Sequence, residues 1–237
     1  MTHVDKKKKH PKTAMVIVAH PDDAEFLCGG TVAKLVQSGW EVTYMLTTSG
    51  DMGSKDPKMT RKRLGQIRER EQTAACNVLG VKEVIYLRYP DGFVEDTAEM
   101  RGRIVRELRR LKPHTVITWN PFRSTFTHRD HRLTGQAAVD AVFPLARDPL
   151  AYPEHIQEGL KEHRVMEMLL AGDNPDHWID IPEEAFKTKI AALRKHKSQI
   201  GEAPIAELRK RLRARMADAG KEKGYEMAEG FRRMAWG

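Results

Sequence analysis

The chain alternates short β-prone runs with longer helical patterns, and this rhythm restricts its fold more than any other feature. Four runs rich in Val, Ile, Tyr and Thr have the length of a strand: Met15–Ala19, Glu41–Thr47, Glu83–Tyr89 and Thr115–Trp119. Between them lie helical segments, Glu25–Ser38 stopped by Gly39, Thr60–Leu79 stopped by Gly80, and Asp96–Leu111 stopped before Pro113. Leu64, Ile67, Ala74, Ala75 and Val78 recur at helical spacing in the second, and Ile104, Val105, Leu108 and Leu111 in the third. Crossovers of this length join parallel strands, so the pattern predicts an α/β fold, a Rossmann-like, mostly parallel sheet with helices on both faces. Past Asp130 it predicts a helix over His131–Phe143, a Pro-rich loop to about Glu162, and strands at Val165–Leu170 and Trp178–Ile181. From about Glu183 to the end the text reads as extra C-terminal helices, heavily basic, with a break at Gly201 and Pro204. A chain of 237 residues can bury one good core. The domain reading is a basic flexible leader over 1–12 and a single domain over 13–237.

The formal net charge of +8 arises partly from Lys6, Lys7, Lys8 and Lys9 and partly from arginines on the later helices. Such a balance attracts nucleic acid, a membrane surface or an acidic metabolite, yet charge runs on helices are usually solvated faces. The lysine run does not begin a signal peptide, because the apolar stretch behind it, Ala14–Ala19, is only a strand long and ends in His-Pro-Asp-Asp. No stretch approaches the ~20 apolar residues of a membrane helix. Cys28 and Cys76 make neither a CxxC nor a disulfide framework, which points to a reducing compartment, the cytoplasm.

In open α/β sheets, ligands bind beyond the carboxyl ends of the strands, where the strand order reverses. The first strand ends in His20-Pro21-Asp22-Asp23, and the fourth leads through Asn120-Pro121 to His128-Arg129-Asp130-His131. In the commonest order these two strands flank the switch point, so the two loops should meet. Two imidazoles and one carboxylate, with a position left open, are the usual makeup of a catalytic zinc centre. The expected ligands are His20, Asp23 and His131, holding one Zn2+ per chain or another divalent metal such as Fe2+. Asp22, pointing another way from the same turn, is left to accept a proton from water. Each stretch alone has a blander reading. His-Pro-Asp-Asp makes a good helix N-cap with Pro21 fixing the turn. His128 to His131 fits an N-cap with idle surface histidines, and its His-Arg-Asp echoes a kinase loop without the other kinase motifs. Their pairing at two adjacent strand ends favours a metal.

"AHPDDAE…CGG", "REREQTAACNVLG", "YPDG", "HRDH" and "KIAALRKHKSQ" together resemble the LmbE/PIG-L family of zinc-dependent N-acetylglucosaminyl deacetylases, over roughly residues 14 to 200. The resemblance implies a hydrolase that removes the N-acetyl group from an N-acetylglucosamine-containing small molecule, releasing acetate and a free amine. It matches His20, Asp23 and His131 to the zinc ligands and Asp22 to the general base. It implies that His128 stabilises the oxyanion and assists the departing amine, that Asp130 orients His128, and that Arg68 and Asp91 contact sugar hydroxyls. It also implies an amino-sugar partner, no nucleic acid, no membrane span, and a homo-oligomer, trimer or hexamer, as some members form. Two positions depart from the family pattern: Ala24 stands where many members have Glu, with Glu25 one place later, and Leu27 replaces a frequent Gly.

Without the resemblance, Arg68 and Glu71 read as a surface ion pair, Asp91 before Gly92 as a turn residue, and Cys28 as core. His196 fits either a pocket rim or a solvated helix position. Two other classes fit parts of the chain. A Rossmann-like nucleotide-binding protein fits the layout, but Gly29-Gly30 is not GxGxxG and lies inside a helix. A basic nucleic-acid-binding module fits Arg209-Lys210-Arg211, which lacks interleaved aromatics. The aglycone of a sugar substrate is expected towards the loop 144–162 and the basic C-terminal helices, whose charge favours an acidic group.

Overall fold

A computed structural model of the chain describes residues 11–125, 128–201 and 204–236. Lys6 to Lys9 of the expected leader lie outside the described residues. In chain order the elements are β1 (Thr13–Val18), α1 (Asp23–Gln37), β2 (Glu41–Thr48), α2 (Arg61–Leu79), β3 (Glu83–Tyr89), α3 (Ala98–Leu111), β4 (Thr115–Trp119), α4 (Arg129–Val142), α5 (Pro153–Gln157), β5 (Glu167–Ala171), β6 (His177–Asp180), α6 (Glu183–Leu193), α7 (Lys197–Ile200), α8 (Ile205–Lys221) and β7 (Ala228–Ala235). The strands form one sheet in the order β3-β2-β1-β4-β5-β7-β6. β1 to β5 are parallel, and β7 runs antiparallel between β5 and β6. The Rossmann-like layout holds, with the reversal of strand order between β1 and β4.

Both faces of the sheet are covered, so the central strands are apolar on both sides. In β1, Met15 and Ile17 pack towards Met100, Ile104 and Leu108 of α3 and Ala138 of α4. Val16 and Val18 belong to the opposite layer with Val32 of α1, Ala75 of α2, and Phe186 and Leu193 of α6. α2 and α3 begin where Thr60 and Thr97 accept the backbone N–H of Arg63 and Met100.

Cys28 takes non-helical angles inside α1 and kinks it. The restarted helix is capped from the far end of the chain, by Glu229 of β7. Its carboxylate accepts the N–H of Gly30 at 3.0 Å and of Thr31 at 2.7 Å, and meets the ammonium of Lys189 at 2.6 Å in a buried pair.

Two expectations need correction. The C-terminal part is not helical to its end: α8 stops at Lys221, Gly224 turns the chain at φ 70°, and residues 228 to 235 form β7. Gly230 and the adjacent Arg232-Arg233 hide any period-2 pattern, and the segment becomes a strand because β5 and β6 pair with it on both sides. The loop 144–162 does not border the carboxyl ends of the strands. The buried Arg109 guanidinium gathers it by donating to the carbonyls of Leu145, Asp148, Ala151 and Tyr152, at the amino end of β4 and β5. The loop half of the aglycone expectation is therefore not met.

Candidate metal centre

Four strand ends surround one crevice: β1 supplies His20 to Asp23, β2 supplies Ser49 to Met52, β3 supplies Pro90 to Gly92, and β4 leads to His128–His131 at the start of α4. α4 reaches over the end of β4 because residue 135 is glycine; a Cβ there would stand 2.4 Å from the Trp119 carbonyl oxygen. That close approach stacks the Trp119 indole on the His131 imidazole, with centroids 4.0 Å apart and planes 7° from parallel.

The three expected ligands meet. His20 Nδ1 lies 3.1 Å from His131 Nε2 and 3.4 Å from Asp23 Oδ2, and His131 Nε2 lies 3.1 Å from Asp23 Oδ1. Donors of a tetrahedral centre with bonds of about 2.0–2.2 Å stand roughly 3.3–3.6 Å apart, so this spacing suits a small divalent cation. The other nitrogen of His20, Nε2, faces Asp91 at 3.0 Å and Asp130 at 3.2 Å. Carboxylates accept only, so Nε2 keeps its proton in either charge state of His20 and Nδ1 is the nitrogen a metal can take, the arrangement by which outer carboxylates orient a ligating histidine. Asp23 is fixed by the N–H groups of Ala19 and His20 and by Trp119 Nε1.

The electrostatics make the same point. Burial opposes the charged form of His20, but the Asp23 carboxylate, with hydrogen bonds to Asp130, Asp23 and Asp91, pushes its pKa up to about 12. Burial alone would raise Asp23, but His131 and His20 hold it well below the usual carboxylate range. Asp91 falls to about 2, against its burial, through His20 and the Met52 N–H. An imidazole kept protonated by three carboxylates marks a place where positive charge is stabilised, and a metal arriving there displaces the proton.

Asp22 differs from its neighbour. Its φ of 102° and ψ of −27° lie in the left-handed region, a strain of about 1–3 kcal/mol for a residue other than glycine. Burial, reinforced by the Asp23 charge, raises its pKa to about 7 despite the pull of Arg68 and His196. A carboxyl group so placed can both take and return a proton near neutral pH.

Several expected roles look different in three dimensions. The Asp130 carboxylate does not orient His128: it accepts from Gly92 N–H at 2.7 Å and Val94 N–H at 3.3 Å and bonds His20. The contact with His128 runs the other way, from the Asp130 backbone N–H to His128 Nδ1 at 3.1 Å. This bond leaves the His128 proton on Nε2, and burial with the charges of His20 and His131 lowers its pKa, which favours the neutral form. Arg68 is buried; its terminal NH groups donate to Pro21 O at 2.7 Å, Gly50 O at 3.1 Å and Asp22 Oδ2 at 3.5 Å, while its Nε has no hydrogen-bond partner. Gly50, at φ 62°, makes room for that guanidinium. Asp91 is turned to His20 and Met52. Both thus hold neighbouring loops, Arg68 through its terminal NH groups and Asp91 through both carboxylate oxygens. Glu71 pairs with Ser198, not Arg68. Cys28 is core, as expected, and His196 is neither rim nor solvated but fully buried on Glu25.

Sequence reasoning missed Trp119, Gln72 and Asp51, which bonds the Asp91 N–H at 3.0 Å. A signal existed for Gln72: it stands four residues after Arg68, on the same face of α2. The N–H groups of Gly30 and Thr31 are bound by Glu229, which removes the glycine pair as a phosphate cradle. On α8, Arg209 and Arg213 face Glu183 and Glu226, a solvated charged surface.

The family described as PIG-L, GlcNAc-PI de-N-acetylase, matches residues 15–142. The chain is 32% identical to diacetylchitobiose deacetylase of Thermococcus kodakarensis over 93% of its own length and 82% of that protein's. It is 29% identical to a probable N-acetyl-alpha-D-glucosaminyl L-malate deacetylase 2 of Bacillus anthracis, covering 85% and 87%. Among solved structures, N,N'-diacetylchitobiose deacetylase from Pyrococcus horikoshii superposes with a TM-score of 0.88 at 30% identity, over 95% of this chain and 85% of that one. The architecture also recurs in a hydratase, GalB of Pseudomonas putida, with a TM-score of 0.79 at 21% identity over 95% and 97% of the two chains, which shows the fold alone.

Proposed function

Because the chain belongs to the PIG-L family of de-N-acetylases, we propose that it is a metal-dependent amide hydrolase that removes the acetyl group from an N-acetylglucosamine-containing small molecule. The observation that carries this reading is the meeting of His20 Nδ1, His131 Nε2 and the Asp23 carboxylate beside an Asp22 of raised pKa. We assign His20, Asp23 and His131 as ligands of one zinc ion. When bound, such a cation polarises the amide carbonyl and acidifies a water.

The chain's own groups do the rest. Asp22 accepts the proton of the attacking water as its oxygen bonds the acetyl carbon. His128 Nε2–H donates to the oxygen that becomes negative in the tetrahedral intermediate. Asp22 then returns the proton to the sugar nitrogen as the C–N bond breaks, and acetate and the amine leave. Asp91 and Asp130 hold His20 by its Nε2–H, and Trp119 holds the His131 ring by stacking. Arg68 keeps the Asp22 turn in place and moderates its pKa. The buried free thiols of Cys28 and Cys76 suit a reducing cytoplasm, and among the described residues no helix is long and apolar enough to cross a membrane.

The test is release of acetate from diacetylchitobiose, N-acetylglucosaminyl malate and N-acetylglucosaminyl inositol, with an acetyl-lysine peptide alongside and metal content measured on the same sample. At least one sugar is expected to react and the peptide is not. Comparable turnover of the peptide would show that the crevice is not built for a hexosamine. On the sugar that reacts, Arg68→Ala is expected to lower kcat/KM by roughly 10-fold or more, part of the contribution of a positioned acid–base group, because Asp22 loses the group that holds its turn, with metal content kept. An Arg68→Ala enzyme as efficient as wild type would remove Arg68 from the machinery.

A further inference from the structure

We propose that Gln72, Glu25 and His196 form a buried positioning chain that sets the backbone of Asp22, and with it the aim of its carboxylate. The proposal rests on reading Asp22 as the proton acceptor. All three side chains are 0% exposed, so their polar atoms must find partners inside the protein, and they find one another. His196 Nε2 stands 3.1 Å from Glu25 Oε2, Gln72 Nε2 donates to Glu25 Oε1 at 2.8 Å, and Gln72 Oε1 accepts the Asp22 backbone N–H at 3.0 Å.

The direction of the chain follows from its chemistry. A carboxylate only accepts, so Glu25 obliges Gln72 to turn its NH2 inward and its oxygen towards Asp22. His196 Nδ1 has no hydrogen-bond partner; an orphan lone pair is cheaper there than an orphan N–H, which places the proton on Nε2, facing Glu25.

What this chain grips is one peptide unit. The Pro21–Asp22 peptide is held at its carbonyl oxygen by Arg68 at 2.7 Å and at its N–H by Gln72 at 3.0 Å. Arg68 and Gln72 are four residues apart on α2, so a single helix face takes the peptide by both ends. With that plane fixed, φ of Asp22 is held too, at a value strained for any residue but glycine. The segment carrying His196 is itself tied to α2: the Glu71 carboxylate accepts the N–H and hydroxyl of Ser198 at 2.8 and 2.6 Å. Three helices thus converge on one N–H, and none of these residues touches the ligand set.

The experiment exchanges the donor and acceptor in the middle of the chain. Gln72→Glu sets two buried carboxylates against each other. In the double variant Glu25→Gln with Gln72→Glu, the amide at 25 donates to the carboxylate at 72, whose other oxygen accepts the Asp22 N–H as before. Gln72→Glu is expected to lower kcat by roughly 10–100-fold, with KM and metal content unchanged, and the double variant to recover most of it. Glu25→Gln, which is isosteric, gives a milder arm should the like charges unfold the single variant; it is expected to lower kcat in the same selective way, because the Gln72 amide is free to flip. Crystal structures of the same proteins report φ of residue 22, expected to leave the left-handed region in the single variants and return in the double. That readout stands even if wild type acts on none of the sugars, in which case the assigned activity fails and the positioning chain does not. Wild-type kcat in both single variants, an unrescued double variant, or an unmoved φ would overturn the proposal.

Discussion

His131→Ala and Asp23→Ala are expected to purify without stoichiometric metal and without measurable amide hydrolysis. His20 Nδ1, His131 Nε2 and the two oxygens of the Asp23 carboxylate meet at 3.1–3.4 Å, and a third of the protein's ligand set disappears with either change. The loss should exceed the roughly 10–100-fold that follows removal of an outer-shell partner. The two variants differ in what else they disturb. His131 is half-buried and its removal mainly uncovers the Trp119 ring, whereas Asp23 also satisfies the N–H groups of Ala19 and His20, so Asp23→Ala should melt earlier as well. Chelation of the wild type should abolish turnover, and added zinc should restore it and raise Tm, because the ion binds only the folded crevice. Metal per chain by elemental analysis decides the matter: about one equivalent retained in either alanine variant would refute the ligand assignment.

Asp22→Asn should separate binding from chemistry. The amide keeps the shape of the side chain but cannot accept a proton, so kcat is expected to fall by about 10²–10⁴-fold, the contribution of a positioned acid–base group. Metal content should stay at the wild-type level, since Asp22 stands outside the ligand triangle. Stability should hold or rise, because asparagine tolerates the left-handed region as aspartate does and the substitution removes a buried like charge from beside Asp23. If Asp22→Asn loses metal as fully as Asp23→Ala, the two neighbours do not divide the work.

The legible part of this protein was what periodicity and strand ends encode. β1 to β4 carry β-branched and apolar runs that declare themselves, and the commonest doubly wound strand order sets the first and fourth strand ends side by side, so His20, Asp23 and His131 could be placed together before any coordinates. Partnerships across the crevice were not legible. Asp130 sits two residues from His128, yet its carboxylate goes to His20 because the Gly92 and Val94 N–H groups draw it there. No local pattern reports a bond to a loop about forty residues away. Arg68 looked like a ligand-reading arginine, but burial committed its terminal NH groups to loop carbonyls. β7 was hidden for a different reason: it is a strand by virtue of its two neighbours, and its own residues have no alternation to show.

The long-range cap on α1 ties the maturation of the metal loop to the far end of the chain. Glu229 is separated by 199 residues from the Gly30 N–H it satisfies, and at about 5–20 residues per second a ribosome needs roughly 10–40 s to make that stretch. Until then the second half of α1 has no acceptor at its kink, Lys189 has no counter-charge, and β6 has no partner strand. A nascent chain, or one clipped by a protease near Gly224, can carry every assigned ligand and still lack the support behind the turn that presents them. The second half of α1 therefore gains its cap only when the last strand is in place, and damage to that strand will be felt at residues made first.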